Sequence, residues 1–454
     1  MRDLARAFRE VLFFLILSFI ASTSIAKRGF CNQQAGILTL EGAIEEGLSR
    51  APQIHNARAV VEETSWKKAE FLSAGFLPKL SVSGTQYLSI QYSVTTLTGL
   101  GSSPTNFLGF FPTTTLGLDL NIPVFDGLAN VRNLQGASLA EEAAKKELAR
   151  AEFQLRKEIQ LSYFQALAAS QLDEVSVENV KTMEDHLRQV TLQNQGGSAT
   201  KVDVLRVSVQ LSDARADEID AKDNVLLTRK KLTQLIGLEA DLRGLEGNLP
   251  IPDHSKVKDL VFKEIAENRD DIQALNLRAE AAGKFRCAQK AWMSPSIFLN
   301  GQALLYDQQQ VNFATSAVTN TGVYQTAYNV SVSLKWNLFD GGVSLARANQ
   351  AVFREIEALK VAETAHVAVP YDFDYWKRRY ISNSDHYIAK KLDIDRSEES
   401  VRLAKEEERA GSRTITETLD AELDLFRAKA GAVTAQLNAA EAQIKLELVL
   451  GRSL

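Results

Sequence analysis

The chain has 454 residues, 45% of them hydrophobic and 24% charged, a balance that supports a large buried core and excludes an intrinsically disordered chain. Its 52 basic and 57 acidic side chains leave a net charge of −5, which offers no electrostatic track for nucleic-acid phosphates. Two cysteines, Cys31 and Cys287, and five histidines exclude a disulfide-stapled scaffold and a four-cysteine zinc site.

Residues 1–26 read as an export signal. Arg2, Arg6 and Arg9 precede an apolar run from Val11 to Ile20, and Ser24-Ile25-Ala26 supplies a cleavage site, with cleavage expected after Ala26. The run is shorter than the roughly 20 residues of a membrane-spanning anchor. Phe30 stands before Cys31, where a lipoprotein signal would carry a small residue. After this segment no apolar run reaches spanning length, so membrane residence would have to come from strands.

Beyond a short segment over 27–38, the first unit covers 39–238. A helix is expected from Leu40 to Ala74 and a β-hairpin over 79–124. From Lys79, Leu80, Val82, Leu88, Ile90 and Val94 alternate with Ser81, Ser83, Thr85, Ser89 and Ser93, the period of a strand with one apolar face. A Gly-, Ser- and Pro-rich loop from Gly99 to Pro112 follows, and a second alternating run ends at Val124. From Gly127 to Gly196 the chain is rich in Ala, Leu, Glu, Gln and Lys and has no proline, which predicts one helix of 69 steps, about 104 Å. A return helix from Thr200 to Gly237 adds 37 steps, about 56 Å. The two shorter helices sum to about the length of the long one, so they would stack end to end beside it.

A connector spans 239–258, with a turn-rich core from Gly244 to Pro252, and a second unit over 259–454 repeats the order. It holds a helix from Asp259 to Met293, a hairpin over 296–339, a long helix from Gly341 to Gly411 and a return helix from Thr414 to Gly451. Phe125-Asp126-Gly127 recurs as Phe339-Asp340-Gly341, a shift of 214 that also relates Gly197 to Gly411, Thr200 to Thr414 and Gly237 to Gly451. Two repeats therefore replace the three domains that length alone suggests. Ala421, Ala428, Ala430, Ala432, Ala435, Ala439 and Ala442 give the last helix a small-residue face suited to close coiled-coil packing. Pro370, where the first unit has Arg156, predicts a kink or helix join near Ala368. A half-buried hairpin in a soluble sandwich is the alternative for each strand pair. Long isolated hairpins between rods favour a barrel shared by several copies, because four strands cannot close one and open edges are not tolerated in lipid.

In this arrangement the chain resembles the TolC-type outer membrane efflux proteins over essentially all of its length after the signal. The resemblance rests on Leu38 to Ile44 with Pro52 and Ile54, Gly75-Phe76-Leu77-Pro78, both Phe-Asp-Gly turns, Gly197 to Leu205, Gly411 to Leu419 and Leu450-Gly451. It implies a mixed α and β membrane fold, a long α-helical coiled-coil barrel continuous with a β-barrel. In the homotrimer each chain would give four strands to a 12-stranded barrel in the outer membrane lipid, with a periplasmic helical extension. The implied partners are a periplasmic adaptor protein and an inner-membrane pump, with no metal and no cofactor. The implied function is a passive exit duct for small toxic molecules or drugs, and the same duct could serve type I protein secretion. A structural coiled-coil protein of the cell envelope without a pore is the reading from another class.

The resemblance places adaptor contact at the two turns, Gly197-Ser198-Ala199-Thr200 and Gly411-Ser412 with Thr414, and a periplasmic gate at Asp203, Arg413, Glu417 and Asp420. Arg413 is expected to pair with Asp203 of a neighbouring tip. Thr200 to Asp203 and Thr414 to Glu417 also fit a helix capping box, so those two carboxylates have a structural reading beside the gating one, whereas Asp420 lies a turn beyond. Glu408 stands where related proteins often carry a tyrosine. His55, His186, His254, His366 and His386 show no ligand spacing and read as solvated or packing side chains. No phosphate loop or nucleophile elbow is present in a suitable context, so no enzyme class is supported.

Overall fold

The computed structural model describes residues 38–86, 108–238, 244–253, 257, 269–312 and 317–454. The expected export signal, Cys31, parts of the 239–258 connector and the start of the second unit lie outside the described residues. Among the described residues no helix is long and apolar enough to cross a membrane.

Thr39 caps helix α1 (Leu40–Arg50), its hydroxyl accepting from the Gly42 amide at 3.2 Å, and Pro52 opens α2 (Pro52–Phe76). The single helix expected from Leu40 to Ala74 is thus two. Ala51, pushed out of the helical region by the proline that follows it, sits at φ −59 and ψ 126 between them. The long helix α3 (Ala129–Gln195) has 67 residues, about 100 Å, and turns into α4 (Lys201–Ile236). In the second half, α5 (Asp270–Gln289) runs into a 3₁₀ turn (Lys290–Met293), and α6 (Val343–Arg409) turns into α7 (Ile415–Leu450). Helix α6 is assigned without a break through Pro370, so the join expected near Ala368 is absent. The helix loses only the one amide bond that proline cannot make, and packing of Val369 and Phe373, both buried, holds the flanking turns.

The helices form a wall. α3 lies between the α2 and α4 pair and the α5 and α7 pair, and α6 packs on the far side of α5 and α7. The short helices are stacked along the long one as their lengths require: Arg58 of α2 pairs with Glu152 at 3.3 Å and Arg215 of α4 with Glu184 at 2.7 Å. Ile54, Leu155, Ile159, Tyr163, Leu232, Ile236 and Ile444 form the largest core cluster, where the α2–α4 junction meets the middle of α3. Beside it the Lys157 ammonium and the Glu447 carboxylate make a buried ion pair that fastens α3 to α7. Six of the seven alanines expected to face a neighbour on α7 are buried, Ala430 being half-buried.

The strands β1 (Lys79–Gln86), β2 (Leu108–Phe125), β3 (Ser296–Asn312) and β4 (Ala317–Lys335) make one antiparallel sheet in the order β1-β2-β3-β4. Strand β2 begins inside the stretch expected to be a loop up to Pro112, because pairing with β3 from Leu108↔Asn312 extends it; Pro112, which cannot donate to the ladder, sits at a register shift. Strand β4 ends at Lys335, short of the expected run to Leu338. The register joins the two hairpins edge to edge and leaves β1 and β4 unpaired on their outer sides in one chain.

Candidate functional site: the sheet faces and the helical turns

Partners across an antiparallel ladder share a face. The row Val82↔Leu118↔Ala303↔Tyr328 crosses all four strands, and Leu80↔Leu120↔Gly301↔Val330 is the next row on that side. These side chains find no cover: Tyr328, Val330 and Val332 are 80%, 78% and 71% exposed. The opposite face is a polar lattice. Asp119 accepts from Ser83 at 2.8 Å and from Gln302 at 2.7 Å, while Asn121 donates to Asn300 at 2.7 Å, which in turn donates to Ser333 at 2.8 Å. Next to the sheet in sequence, Phe76 at the end of α2 and Trp336 and Phe339 after β4 are also exposed. A sheet with one apolar and one polar face can separate lipid from water.

At the far end of the wall the chain reverses twice with the same geometry. Gly197 and Gly411 take φ values of 78 and 75, and a Cβ at either would meet nothing within 4 Å, so conformation and not crowding requires glycine. The Ser198 amide and hydroxyl both donate to the Gln193 carbonyl, at 2.9 and 3.0 Å, and Ser412 does the same to Glu407. Thr200 and Thr414 then cap the return helices. The Asp203 carboxylate accepts from the Thr200 amide at 3.0 Å and Glu417 accepts from the Thr414 amide at 3.0 Å, so both capping boxes are made. The Thr200 hydroxyl holds the Asp203 carboxyl below its ordinary value, and the Thr414 amide does so for Glu417.

Arg413 bonds within its own turn, to Glu407 at 3.1 Å and toward Glu417 at 4.0 Å, so the pair expected with Asp203 is not made inside one chain. Asp420 is exposed and makes no ion pair among the described residues. Glu408, in the position expected for a tyrosine, is buried and accepts from Gln189 at 3.3 Å and Gln193 at 3.4 Å.

Sequence reading missed the seam that links α3 and α4 to α6 and α7 just above the turns. His186 Nδ1 lies 2.7 Å from Glu422, whose other oxygen takes the Lys405 ammonium at 2.8 Å; Arg206 donates to Thr416 at 2.5 Å, and Lys429 pairs with Glu178 at 3.0 Å. Burial pushes the Glu422 carboxyl up, but the His186 and Lys405 bonds outweigh it and hold the group below its usual value. The signal was present: His186 falls on the stripe Ser176, Val180, Met183, Val190, all buried, so its side chain had to point into the wall.

A long helical wall joined to a four-stranded sheet with one apolar and one polar face and open edges defines the class: an envelope protein whose sheet is suited to meet lipid. The model of the outer membrane efflux protein family matches residues 43–238 and 261–452, and the chain belongs to that family. Among curated protein sequences nothing matches significantly. Solved structures share the fold at low identity. VceC, an outer membrane protein of Vibrio cholerae, is 18% identical with a TM-score of 0.70, covering 91% of this chain and 96% of its own. CusC, described for transmembrane channel formation, is 17% identical with a TM-score of 0.76, covering 93% and 95%. The open-state MtrE outer membrane channel of Neisseria gonorrhoeae is 20% identical with a TM-score of 0.71, covering 91% and 89%. The protein is therefore an outer membrane efflux protein, and not an enzyme.

Proposed function

We propose that three copies close one duct: a 12-stranded barrel in the outer membrane continuous with a helical tunnel that receives small toxic molecules or drugs from an inner-membrane pump through a periplasmic adaptor. The carrying observation is the set of in-phase apolar rows across four strands, backed by the polar lattice, in a sheet whose first and last strands are both unpaired within the chain. Unpaired edges are not tolerated in hydrocarbon. Pairing β4 of one copy with β1 of the next removes every edge, and the same step sets α6 of one copy beside the α2 and α4 stack of the next. The exposed side chains Val361, Val367, Tyr371 and Tyr375 on α6, and Trp66, Ile219 and Leu226 on α2 and α4, support that closure. We read the two halves as a duplication, since α3 and α6 both have 67 residues and α4 and α7 both have 36.

The turns over Gly197 to Thr200 and Gly411 to Thr414 are the proposed adaptor contacts. Asp420, exposed and unengaged, with Glu417 would ring the mouth in three copies and attract cations. The proposed Arg413 to Asp203 pair would form between neighbouring copies, since each is bonded elsewhere within one chain. Two measurements test the reading. The mass of the detergent-extracted protein should correspond to three chains, a monomer being the contrary result. Arg413→Ala should raise the open fraction in single-channel records, and an unchanged open fraction would remove Arg413 from the gate.

A further inference from the structure

We infer that His186, Glu422, Lys405 and Glu408 form a proton-operated latch that fastens the α6–α7 hairpin to α3 and shuts the tunnel mouth in acid; the inference rests on the gate reading above. The cluster lies within a single chain, about ten residues above the Gly197 turn along α3, roughly 15 Å at the helical rise. Three helices meet in it. His186 of α3 is 6% exposed and Glu422 of α7 is 5% exposed, and they touch at 2.7 Å. Lys405 of α6 reaches the second Glu422 oxygen, and Glu408 of α6, also buried, accepts from Gln189 and Gln193 of α3.

The charge count decides the direction. A cavity of about 170 Å³ is lined by Asp185, His186, Lys405, Glu408, Arg409 and Glu422 among others. Asp185 is largely exposed and has Arg188 beside it at 3.7 Å, and Arg409 is exposed, so water screens both. The buried charges are then two carboxylates, Glu422 and Glu408, and the Lys405 ammonium, 44% exposed, reaches Glu422 from the rim. A neutral imidazole leaves one negative charge uncompensated where three helices pack, whereas an imidazolium balances it. His186 Nε2 is buried and without a hydrogen-bond partner among the described residues. In the imidazolium that nitrogen carries a second donor, and the Glu408 carboxylate borders the same cavity. Histidine is the side chain that changes charge between about pH 5 and 8. In the protonated cluster the imidazolium bonds the buried Glu422 carboxylate and holds α7 to α3, and loss of the proton removes that charge from the contact. Separation of the hairpins at the turns requires the His186 to Glu422 and Gln189 to Glu408 bonds to part, so proton loss favours the open mouth.

The test uses the full-length protein purified from outer membranes. In planar bilayers the open probability of the wild type should rise about fivefold or more from about pH 5.5 to about pH 7.5. His186→Gln, which keeps a neutral donor toward Glu422, should change less than about twofold over the same interval. Glu408→Gln balances the cluster without a proton, and should hold the open probability at about pH 7.5 near the wild-type value at about pH 5.5. Identical pH profiles for wild type and His186→Gln, or a flat wild-type profile, overturn the latch. Absence of conductance from every protein at every pH sinks the channel reading, and the latch is then read separately by amide hydrogen exchange. After correction for intrinsic rates, amides of Ser198 to Thr200 and Ser412 to Thr414 should be protected in acid in the wild type and not in His186→Gln; equal protection in both overturns it.

Discussion

Leu128 carries the one positive φ among the described non-glycine residues, 68, where α3 leaves the Phe-Asp-Gly turn; the position related to it by the shift of 214 is Gly342, at φ 87. A β-carbon in the left-handed region costs roughly 1–2 kcal/mol, and Leu128 is half exposed, so its burial returns little. Leu128→Gly should therefore raise the stability of the detergent-solubilised protein by about 1 kcal/mol, read as a higher denaturation midpoint; a lower midpoint would contradict the strain. The buried Lys157 to Glu447 pair predicts the opposite sign. Glu447→Gln leaves an ammonium without its counter-charge and should cost about 3–5 kcal/mol in chemical denaturation, with Lys157→Met added to it recovering part of the loss. At the turns, the lowered Asp203 and Glu417 carboxyls stabilise the caps fully above their ordinary values of 3.8 and 4.5 and cease to do so as pH falls through the lower values of the folded state. After correction for intrinsic rates, the protection of amides in the first turns of α4 and α7 should fall there, and unchanged protection would contradict the capping role. The caps were legible in sequence because a capping box spans four consecutive residues. The His186 to Glu422 bond was not, because it joins side chains 236 positions apart whose meeting depends on helix register.

Along single elements, periodicity carried most of the fold. The rods α3, α4, α6 and α7 fall within a few residues of their expected ends because glycine and the Thr-led caps punctuate them, and one proline explains why the first helix divides at Ala51. The start of β2 was hidden, since Phe110-Phe111-Pro112 breaks the alternation and only pairing with β3 makes that stretch a strand. Pro370 does not divide its helix, so of the expected kink or join the join is absent: a long helix with packed flanks tolerates the loss of one amide bond. The two sheet faces yield an element-scale prediction. Val330→Arg, on the exposed apolar face, should cost about 2–4 kcal/mol and reduce recovery in outer membranes, whereas Ser331→Arg, on the polar face, should be recovered near the wild-type level. Equal losses from both would contradict the assignment of the faces.

For the whole molecule, the same logic that gives one chain its wall leaves that chain incomplete. In the sheet the sequence order is the spatial order, so β1 and β4 are open edges, and in the helical wall the α2 and α4 pair lies at one end and α6 at the other. The open strand edges are the stronger constraint, because an unpaired backbone group in hydrocarbon costs several kcal/mol. In the proposed trimer, closure would turn the polar lattice around Asp119 and Asn300 into the lining of a pore and the apolar rows into its lipid coat. Composition and hydropathy alone gave no sign of this, since the apolar surface is spread over every second residue of four strands. Planar-bilayer recording with the purified full-length protein tests it most directly. Discrete conductance steps, each requiring an assembly with the mass of three chains, are the predicted result; protein that inserts or remains trimeric and yet carries no current would contradict the duct.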